Sequence, residues 1–448
     1  MIIHNCRIVT WTNPNHILSN HALRIANGRI VEIMDEKTLL EKYPHEVKMD
    51  GHGQILMPGL ICAHTHFYGA FSRGLGIPGE APKNFMEILE KLWWALDQSL
   101  TAEGIRYSAL VCLIDAIKHG TTTVFDHHAS PNFIEGSLDL IETAVIETGV
   151  RTSLCYEVSD RGGKEKTLAG IAENVRMINK LQKQPNGALT SATFGLHAAV
   201  TLSDETLERS REEIPSSHGF HIHIAEDAID QKSSIENHQM RVVERLHKFG
   251  ITGRQSIFVH GVHLNDNEVD IIQDSKTWLT HQPRSNMNNA VGMADVEAYL
   301  DLGIPICIGN DGFSFAMWDE WRTCFLSHKS WKKDPRSMPG NKVTKMAAYN
   351  NASMASHFFK DRIGMIEVGA KADLILVDYL PFTEMHEGNL PWHILFGFRD
   401  SMVTMTMVDG KVLMYDREIK VINESSIMNE ATEVSQEIWK RYYKQFEK

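Results

Sequence analysis

The pattern of the chain changes at residues 57–67, which read MPGLICAHTHF. Before this stretch, short apolar segments alternate with turns. After it, short apolar segments alternate with longer segments that have the amphipathic spacing of helices. The stretch itself predicts a buried strand, Leu60–Phe67, which ends in two histidines. We therefore expect a series of alternating strands and helices to begin here.

Eight strands are predicted from this point onward. They are Leu60–Phe67, Thr121–His127, Arg151–Glu157, Ala192–Ala199, Gly219–Ile224, Ser256–His263, Thr277–His281 and Ile304–Asn310. Helices are predicted between them at Ile105–Lys118, Leu138–Thr148, Ala169–Leu181, Asp204–Glu213, Glu236–Lys248, Asp266–Gln273 and Ala294–Leu302.

This alternation indicates an α/β fold with a parallel sheet, because near-continuous apolar strands require cover on both faces. Eight such units predict a closed (β/α)₈ TIM barrel, which needs roughly 250 residues. The alternative is a doubly wound open sheet. That fold usually carries a G-x-G-x-x-G turn after its first strand, and the sequence has none there.

Both ends of the chain predict hairpins instead. The dipeptides Asn27-Gly28 and Asp409-Gly410 each lie between two apolar, β-rich runs. Such dipeptides are typical of two-residue hairpin turns. The two ends therefore read as antiparallel β-structure, unlike the middle of the chain.

The chain thus divides into three ranges. Residues 59–362 are expected to form the barrel. Residues 1–58 and 363–448 are expected to form one small composite β-sandwich domain, with a terminal helix that begins near Glu424.

The composition is that of an ordinary globular protein, with 43% hydrophobic and 23% charged residues. A net charge of −12 and a pI near 6.0 argue against a nucleic-acid partner, because a polyanion would be repelled. The N-terminal sequence does not resemble a secretory signal, and no apolar stretch approaches the length of a membrane span. Six scattered cysteines without a Cys-x-x-Cys pair predict reduced thiols. We therefore expect a cytoplasmic protein that does not bind membranes.

Histidines and a glutamate mark the ends of the first and fifth predicted strands. His64 and His66 point to the same face of their strand, so both can reach one metal ion, although a lone His-x-His pair is weak evidence. His223 ends the fifth strand. Glu226 follows three residues later, where a carboxylate suits proton transfer between water and a substrate. His221 is more simply interpreted as a structural hydrogen-bonding residue.

Similar residues end three further strands. His260 lies at the end of the sixth predicted strand, His281 ends the seventh, and Asp311 follows the eighth. Each signal is weak by itself, and an Asp-Gly pair is usually a turn. In a closed barrel, however, the carboxyl ends of all strands converge on one mouth. We therefore expect these side chains to meet there.

In this order the residues resemble the amidohydrolase superfamily, and in particular its cytosine/guanine/S-adenosylhomocysteine/triazine aminohydrolase branch. The resemblance extends over nearly the whole chain. It includes residues 57–66 (MPGLICAHTH) at the entry to the barrel, residues 281–286 (HQPRSN) after the seventh strand, and residues 364–374 (GMIEVGAKADL) at the return to the β domain.

The resemblance implies one divalent metal ion, usually Zn²⁺ and sometimes Fe²⁺. Its ligands would be His64, His66, His223 and Asp311. Superfamily members with two metals commonly use a carboxylated lysine on the fourth strand. Here that strand carries His197 and no lysine, which indicates a single metal.

The resemblance also implies a deaminase. A metal-bound hydroxide would attack a ring carbon that bears an amino group, and ammonia would leave. Asp311 would take the proton of the water, His260 would contact that water, and Glu226 would protonate the ring nitrogen. His197 would hydrogen-bond the substrate.

One stretch departs from the adenosine-type members of the branch. In those proteins a glutamate after an Ile-Trp-Pro run holds the ribose, whereas residues 92–97 here read LWWALD. The difference favours a flat free base over a nucleoside. Trp93 and Trp94 are expected to wall such a ring, although packing within a helix would explain one of them equally well.

Two other functions stay open at this point. A cyclic amide or hydantoin-type ring hydrolase fits the same scaffold, but the missing lysine counts against it. A non-catalytic barrel with an assembly or binding role would have no need of Glu226 and Asp311 together. Members of this branch are often dimers or larger, so we expect a homo-oligomer. The sequence suggests no role for residues 126–128 (DHH) or His263.

Overall fold

The computed structural model describes residues 1–447. The chain opens with five strands and one helix. The strands are Ile2–Val9 (β1), Ile17–Ala26 (β2), Arg29–Asp35 (β3), Lys48–Asp50 (β4) and Ile55–Pro58 (β5), and helix α1 spans Glu36–Lys42 between β3 and β4.

The barrel follows, and all eight predicted strands are present. They are Leu60–Thr65 (β6), Thr121–Asp126 (β7), Arg151–Leu154 (β8), Thr190–Ala192 (β9) continued by Phe194–Ala198 (β10), Phe220–Ile224 (β11), Ile257–His260 (β12), Trp278–His281 (β13) and Ile306–Ile308 (β14). Neighbouring strands pair in parallel, as predicted. The fourth strand is interrupted at Thr193, so the pairing falls into two groups, β6–β9 and β10–β14.

Two seams join these groups into a closed barrel. At the first, Thr65 at the end of β6 bridges in parallel to Asp311, which lies just beyond β14. At the second, Val158 bridges in parallel to Leu196 of β10. The predicted (β/α)₈ barrel is therefore confirmed.

The first seam requires a very close approach of two backbones. A Cβ atom at position 309 would lie only 2.7 Å from the backbone nitrogen and oxygen of His64, so Gly309 is the residue that fits. Asp311 follows two residues later, and its backbone N–H donates to the His64 carbonyl oxygen at 3.1 Å. This contact sets how far Asp311 lies from the histidines of β6.

Helices surround the barrel. They are Phe85–Ile88 (α2), Trp94–Asp97 (α3), Ala102–Lys118 (α4), Ser137–Thr148 (α5), Lys164–Leu181 (α6), Asp204–Glu212 (α7), Ala228–His238 (α8), Val242–Lys248 (α9), Asp266–Ser275 (α10), Pro283–Asn288 (α11), Val296–Asp301 (α12), Met317–Lys332 (α13), Gly340–Thr344 (α14) and Asn351–Phe359 (α15). The single helix predicted at Glu236–Lys248 is wrong. Gln239 adopts a left-handed conformation with φ 57° and ends α8 before α9 begins.

The remaining elements return to β-structure. They are Leu374–Val377 (β15), helix Leu390–Gly397 (α16), Val403–Val408 (β16), Lys411–Tyr415 (β17), Glu418–Ile419 (β18) and the terminal helix Glu424–Lys444 (α17). Within residues 1–447, none of the helices has both the length and the apolar character needed to cross a bilayer.

Strands from both ends of the chain form one β domain, as expected. They belong to a single nine-stranded hydrogen-bonded sheet in which β5 pairs with β1 on one side and with β15 on the other. Both predicted hairpins are present. Asn27 and Gly28 have positive φ values of 51° and 72°, and Asp409 and Gly410 have 52° and 73°, as a type I′ turn requires. The division of the chain near residues 58 and 362 stays a prediction.

The two parts are tied together by a buried ion pair. Arg151 begins barrel strand β8, and its Nε lies 2.8 Å from Oδ2 of Asp373, which directly precedes β15. Both side chains are almost completely buried. The same carboxylate accepts the backbone N–H of Asp409 at 2.7 Å. The pair therefore fixes the hairpin of the β domain against the wall of the barrel.

Replacing Asp373 by alanine should lower the free energy of unfolding by about 3–5 kcal/mol, because Arg151 would remain as an uncompensated buried charge. Urea denaturation followed by circular dichroism measures the change. The control is Glu205→Ala, which breaks an exposed ion pair with Lys164 and should cost at most about 1 kcal/mol. Equal losses in the two variants would contradict the structural role assigned to the buried pair.

Candidate active site

Four side chains converge at the carboxyl end of the barrel. One ligand atom from each of His64, His66, His223 and Asp311 lies within 4.8 Å of all the others. His66 Nε2 is 3.1 Å from His223 Nε2 and 3.1 Å from Asp311 Oδ1, and His64 Nε2 is 3.4 Å from the same carboxylate oxygen. These are the four residues that the sequence analysis grouped as metal ligands.

The outer nitrogens of two of these histidines are held by backbone carbonyl groups. His66 Nδ1 lies 2.6 Å from the His127 carbonyl oxygen, and His223 Nδ1 lies 2.8 Å from that of His197. A carbonyl oxygen only accepts, so each Nδ1 carries a proton and donates it. The two Nε2 atoms are thereby aimed at each other and at Asp311, which is the usual orientation of metal-ligating imidazoles.

Such an arrangement requires a positive charge at its centre. Burial acts to lower the pKa of His66, but the hydrogen bond and charge of Asp311 outweigh it and raise that pKa to about 9. A proton on His66 is one way to supply the charge, and a metal ion is the other. Buried His64 Nε2 has no hydrogen-bond partner among the described residues. The donor set therefore fits a divalent cation.

Asp311 is held in place by the loop that follows the barrel strand. Its φ of 57° is left-handed, and Ser285 Oγ donates to its Oδ2. Burial acts to raise the pKa of this carboxyl, but the neighbouring His64 and His66 hold it well below its usual range. Asp311 is therefore present as a carboxylate that faces the cluster.

His260 and Glu226 form a second group beside the cluster. His260 Nε2 lies 3.2 Å from Glu226 Oε2, and one atom of each lies within 4.8 Å of a carboxylate oxygen of Asp311. Asn286 Nδ2 donates to His260 Nδ1 at 2.9 Å, so Nε2 is the nitrogen that bears hydrogen. Asn289 Nδ2 donates to Glu226 Oε1 at 3.2 Å.

The environment of Glu226 favours its protonated form. Burial raises the pKa of this carboxyl well above its usual value, and the negative charge of Asp311 adds to the effect. A glutamate that holds a proton near neutral pH is suited to general acid catalysis. Burial also lowers the pKa of His260 to about 4, so that imidazole is neutral.

A largely apolar pocket opens above these groups. His66, His223, Glu226, His260 and Asp311 form its floor. Its walls include Tyr68, Phe85, Leu89, Trp93, Trp94 and His197. Both predicted tryptophans therefore line the pocket. They belong to a helical segment that is widened to a π-helical turn at Leu89–Trp93, a distortion that is frequent at functional sites.

Several pocket residues were missed by the sequence analysis. Tyr68, Glu157, Asn289 and Phe85 line the pocket as well. Glu157 is the last residue of the predicted third strand. That position at the rim of the barrel is a signal that could have identified Glu157 as a pocket residue. Phe85 and Asn289 lie in loop-flanked segments that carry no comparable signal.

Two histidines without a predicted role now have defined contacts. His127 Nε2 donates to the His221 carbonyl oxygen at 2.9 Å, and His127 Nδ1 lies 3.1 Å from Glu157 Oε2. His263 Nε2 donates to the Val291 carbonyl oxygen at 2.9 Å, which secures a loop at the mouth. His221 Nε2 lies 2.9 Å from His64 Nδ1 and supports that ligand from behind.

The chain matches known proteins over most of its length. Residues 55–413 match the model described as the Amidohydrolase family. The chain is 29% identical to a 5'-deoxyadenosine deaminase of Methanosarcina acetivorans, with 98% of each sequence covered. It is also 29% identical to a 5-methylthioadenosine/S-adenosylhomocysteine deaminase of Syntrophomonas wolfei, covering 98% of this chain and 99% of the relative.

A solved structure supports the same fold. The chain superimposes on an adenosine deaminase from Xanthomonas campestris with bound zinc, with a TM-score of 0.83 at 22% identity and 98% coverage of both chains.

Metal binding should be measurable without any activity assay. After treatment with a chelator, added Zn²⁺ should raise the melting temperature, since a ligand present at 1,000 times its dissociation constant stabilises the folded state by about 4 kcal/mol. The increase should shrink as the pH falls, because protons on His66 compete with the metal.

The variant His223→Gln should lose most of this stabilisation, because it removes one of the four donors. His45→Gln, at an exposed position between α1 and β4 in the β domain, serves as the control and should keep it. A Zn²⁺-induced increase of the same size in both variants would rule out the cluster as the binding site.

Proposed function

The chain belongs to the amidohydrolase family, and from this premise we propose that it is a hydrolytic deaminase that removes the amino group of a small purine-like heterocycle. Its relatives over the full length are named as deaminases of adenine-containing compounds. The single observation that carries the proposal is the grouping of Glu226, His260 and Asp311 at the floor of an apolar pocket, directly beside a cluster of metal-ligating side chains.

We propose that His64, His66, His223 and Asp311 hold one divalent ion. Zn²⁺ is the first choice, because imidazole and carboxylate ligands suit it, and Fe²⁺ is the alternative. When bound by these residues, such an ion would lower the pKa of a coordinated water from 15.7 to about 7.

The protein side chains then manage the protons of the reaction. Asp311 is a carboxylate at the centre of the cluster, so it accepts a proton from the attacking water. Glu226 delivers a proton to the ring nitrogen next to the attacked carbon, where negative charge develops. His260 presents its Nε2–H to the new oxygen substituent. The carbon–oxygen bond forms, and the proton held by Asp311 passes to the amino group. The carbon–nitrogen bond then breaks, ammonia leaves, and the hydroxyl proton of the adduct returns to Glu226.

The pocket favours a flat ring as the substrate. Trp93 and Trp94 supply aromatic walls, and His197 offers a hydrogen bond at the base of the wall. Residues 92–97 lack the glutamate that the sequence analysis associates with ribose binding. We therefore propose a free base or a related ring, in contrast to the nucleosides named for the relatives.

We further propose a homo-oligomer in the cytoplasm. Leu380 is 90% exposed and Phe382 is 96% exposed, and two such side chains this close in the chain support an apolar surface that is covered in an oligomer. All six cysteines are free thiols, which agrees with a reducing compartment.

An ammonia-release screen of the metal-loaded enzyme against purines, pterins and triazines tests the proposed reaction. For any amine that is turned over, Glu226→Gln should reduce kcat/KM by about 100- to 10,000-fold, because the proton donor is lost. It should still bind metal. Asp311→Asn should lose activity and retain less metal, because it also removes a ligand.

Glu213→Gln, an exposed substitution outside the pocket, is the control for both variants and should behave as the wild type. Full activity in Glu226→Gln would refute its role as the proton donor. A ring-opened acid formed without ammonia would replace the deaminase by a cyclic-amide hydrolase.

A further inference from the structure

One wall of the pocket carries two hydrogen-bond acceptors side by side. Glu157 Oε1 and His197 Nε2 lie 3.6 Å apart, and both residues line the pocket. Glu157 is 4% exposed and His197 is 7% exposed, so little water reaches them.

His197 presents a lone pair to the pocket. Its Nδ1 lies 2.6 Å from Thr201 Oγ1, and the hydroxyl of Thr201 donates its only hydrogen to the Ala198 carbonyl oxygen at 3.1 Å. Thr201 therefore acts as the acceptor towards His197, and Nδ1 carries the proton. In the neutral imidazole with its hydrogen on Nδ1, Nε2 is the acceptor.

Glu157 presents an acceptor as well. His127 Nε2 must donate to the His221 carbonyl oxygen, and one proton lies between His127 Nδ1 and Glu157 Oε2, which are 3.1 Å apart. Whichever of those two atoms holds that proton, the lone pairs of Glu157 Oε1 stay available. The guanidinium of Arg161 is 3.8 Å away, beyond hydrogen-bond distance, and is itself bonded to Asp97 at 2.9 Å.

Neither of these two acceptors has a hydrogen-bond donor from the other, so the ligand must supply the donor. Buried acceptors that stay unpaired are costly, so a ligand with an N–H group directed at them would be strongly preferred over one with a lone pair there. Glu157 thus selects for a hydrogen-bond donor.

The donor must belong to the reacting ring. A carboxylate oxygen of Glu157 lies within 4.8 Å of a ring nitrogen of His66. A carboxylate oxygen of the same residue also lies within 4.8 Å of a ring nitrogen of His223. Both histidines belong to the cluster of proposed metal ligands, and the attacked carbon must lie beside that cluster. A sugar attached to the far side of a purine would lie too far from the attacked carbon to reach the same place.

We propose that the substrate is a cyclic guanidine, in which the carbon that bears the amino group has an N–H on one side and an unprotonated ring nitrogen on the other. Guanine, pterin and isocytosine have this edge. The inference rests on the proposed deaminase function, in which Glu226 protonates the ring nitrogen. Glu157 and His197 accept the N–H on the opposite side, and water replaces the amino group with release of ammonia. Adenine lacks this edge, since its amino-bearing carbon is flanked by a ring nitrogen and a carbon.

A binding experiment with matched ligands tests this assignment. Guanine and 2-aminopurine both carry the 2-amino group, but guanine has N1–H where 2-aminopurine has a lone pair. Isothermal titration of Zn²⁺-loaded Glu226→Gln, in which turnover is suppressed, should give a dissociation constant roughly 10- to 100-fold lower for guanine.

Adding Glu157→Leu should abolish this preference, because it removes the acceptor. Glu157→Gln should keep the preference in a weaker form. His127 Nε2 keeps its hydrogen for the His221 carbonyl, so the lone pair of Nδ1 accepts from the amide NH₂ and the amide oxygen faces the pocket. Glu157→Asp, which keeps the acceptor, should still prefer guanine. Glu142→Gln is the control, because Glu142 is also buried but pairs with Lys180 outside the pocket.

Melting temperature and zinc content, measured on every variant, separate a folding defect from a change in recognition. If Glu157→Leu does not fold, the Glu157→Asp and wild-type preferences still decide the question. Equal affinity of the wild-type pocket for guanine and 2-aminopurine, or equal weakening of both by Glu157→Leu, would overturn the inference. Release of ammonia by the wild type from adenine but not from guanine would overturn it while leaving the deaminase function intact. Release from no amine at all would instead count against the proposed function, and the titrations would still decide what Glu157 recognises.

Discussion

The close packing of three imidazoles around one aspartate is the constraint on which the site depends. His66, His223 and Asp311 place two nitrogens and an oxygen about 3.1 Å apart, and these atoms cannot remain together without a positive charge between them. Carbonyl groups behind the histidines prevent the rings from turning away. Part of the folding free energy is therefore used to hold these ligands close together. The hydrogen bonds behind the histidines keep the rings in the orientation that binds a cation.

Closure of the barrel makes that geometry possible. Asp311 comes from beyond the eighth strand, and it reaches the histidines of the first strand only because Gly309 lets the two backbones nearly touch. The β domain reinforces this arrangement from the opposite side. Arg151 at the start of β8 is bound to Asp373 of the β domain, so the wall of the barrel is fixed by residues from the C-terminal part of the chain.

Similar side chains acquire different chemistry from their surroundings. Glu226 and Glu157 are both buried glutamates at the pocket. Burial and the nearby Asp311 raise the pKa of Glu226, whereas Glu157 lies 3.1 Å from His127 Nδ1 through one oxygen and has the other oxygen free towards the pocket. One glutamate is therefore prepared to donate a proton and the other to accept a hydrogen bond. The reaction proposed for the pocket needs both behaviours on opposite sides of one ring.

The sequence by itself determined the eight strands, the two hairpins and the ligand candidates at the strand ends. These features are encoded locally, in the alternation of apolar residues, in dipeptides such as Asn27-Gly28, and in histidines two residues apart. Only the tertiary structure decided the rest. The acceptor pair of Glu157 and His197, the support of His260 by Asn286, and the split of one predicted helix at Gln239 depend on contacts or backbone conformations that no local pattern records. Proton positions and hydrogen-bonding roles follow from which groups meet in space, and residues that meet at the mouth of a barrel come from positions far apart in the chain.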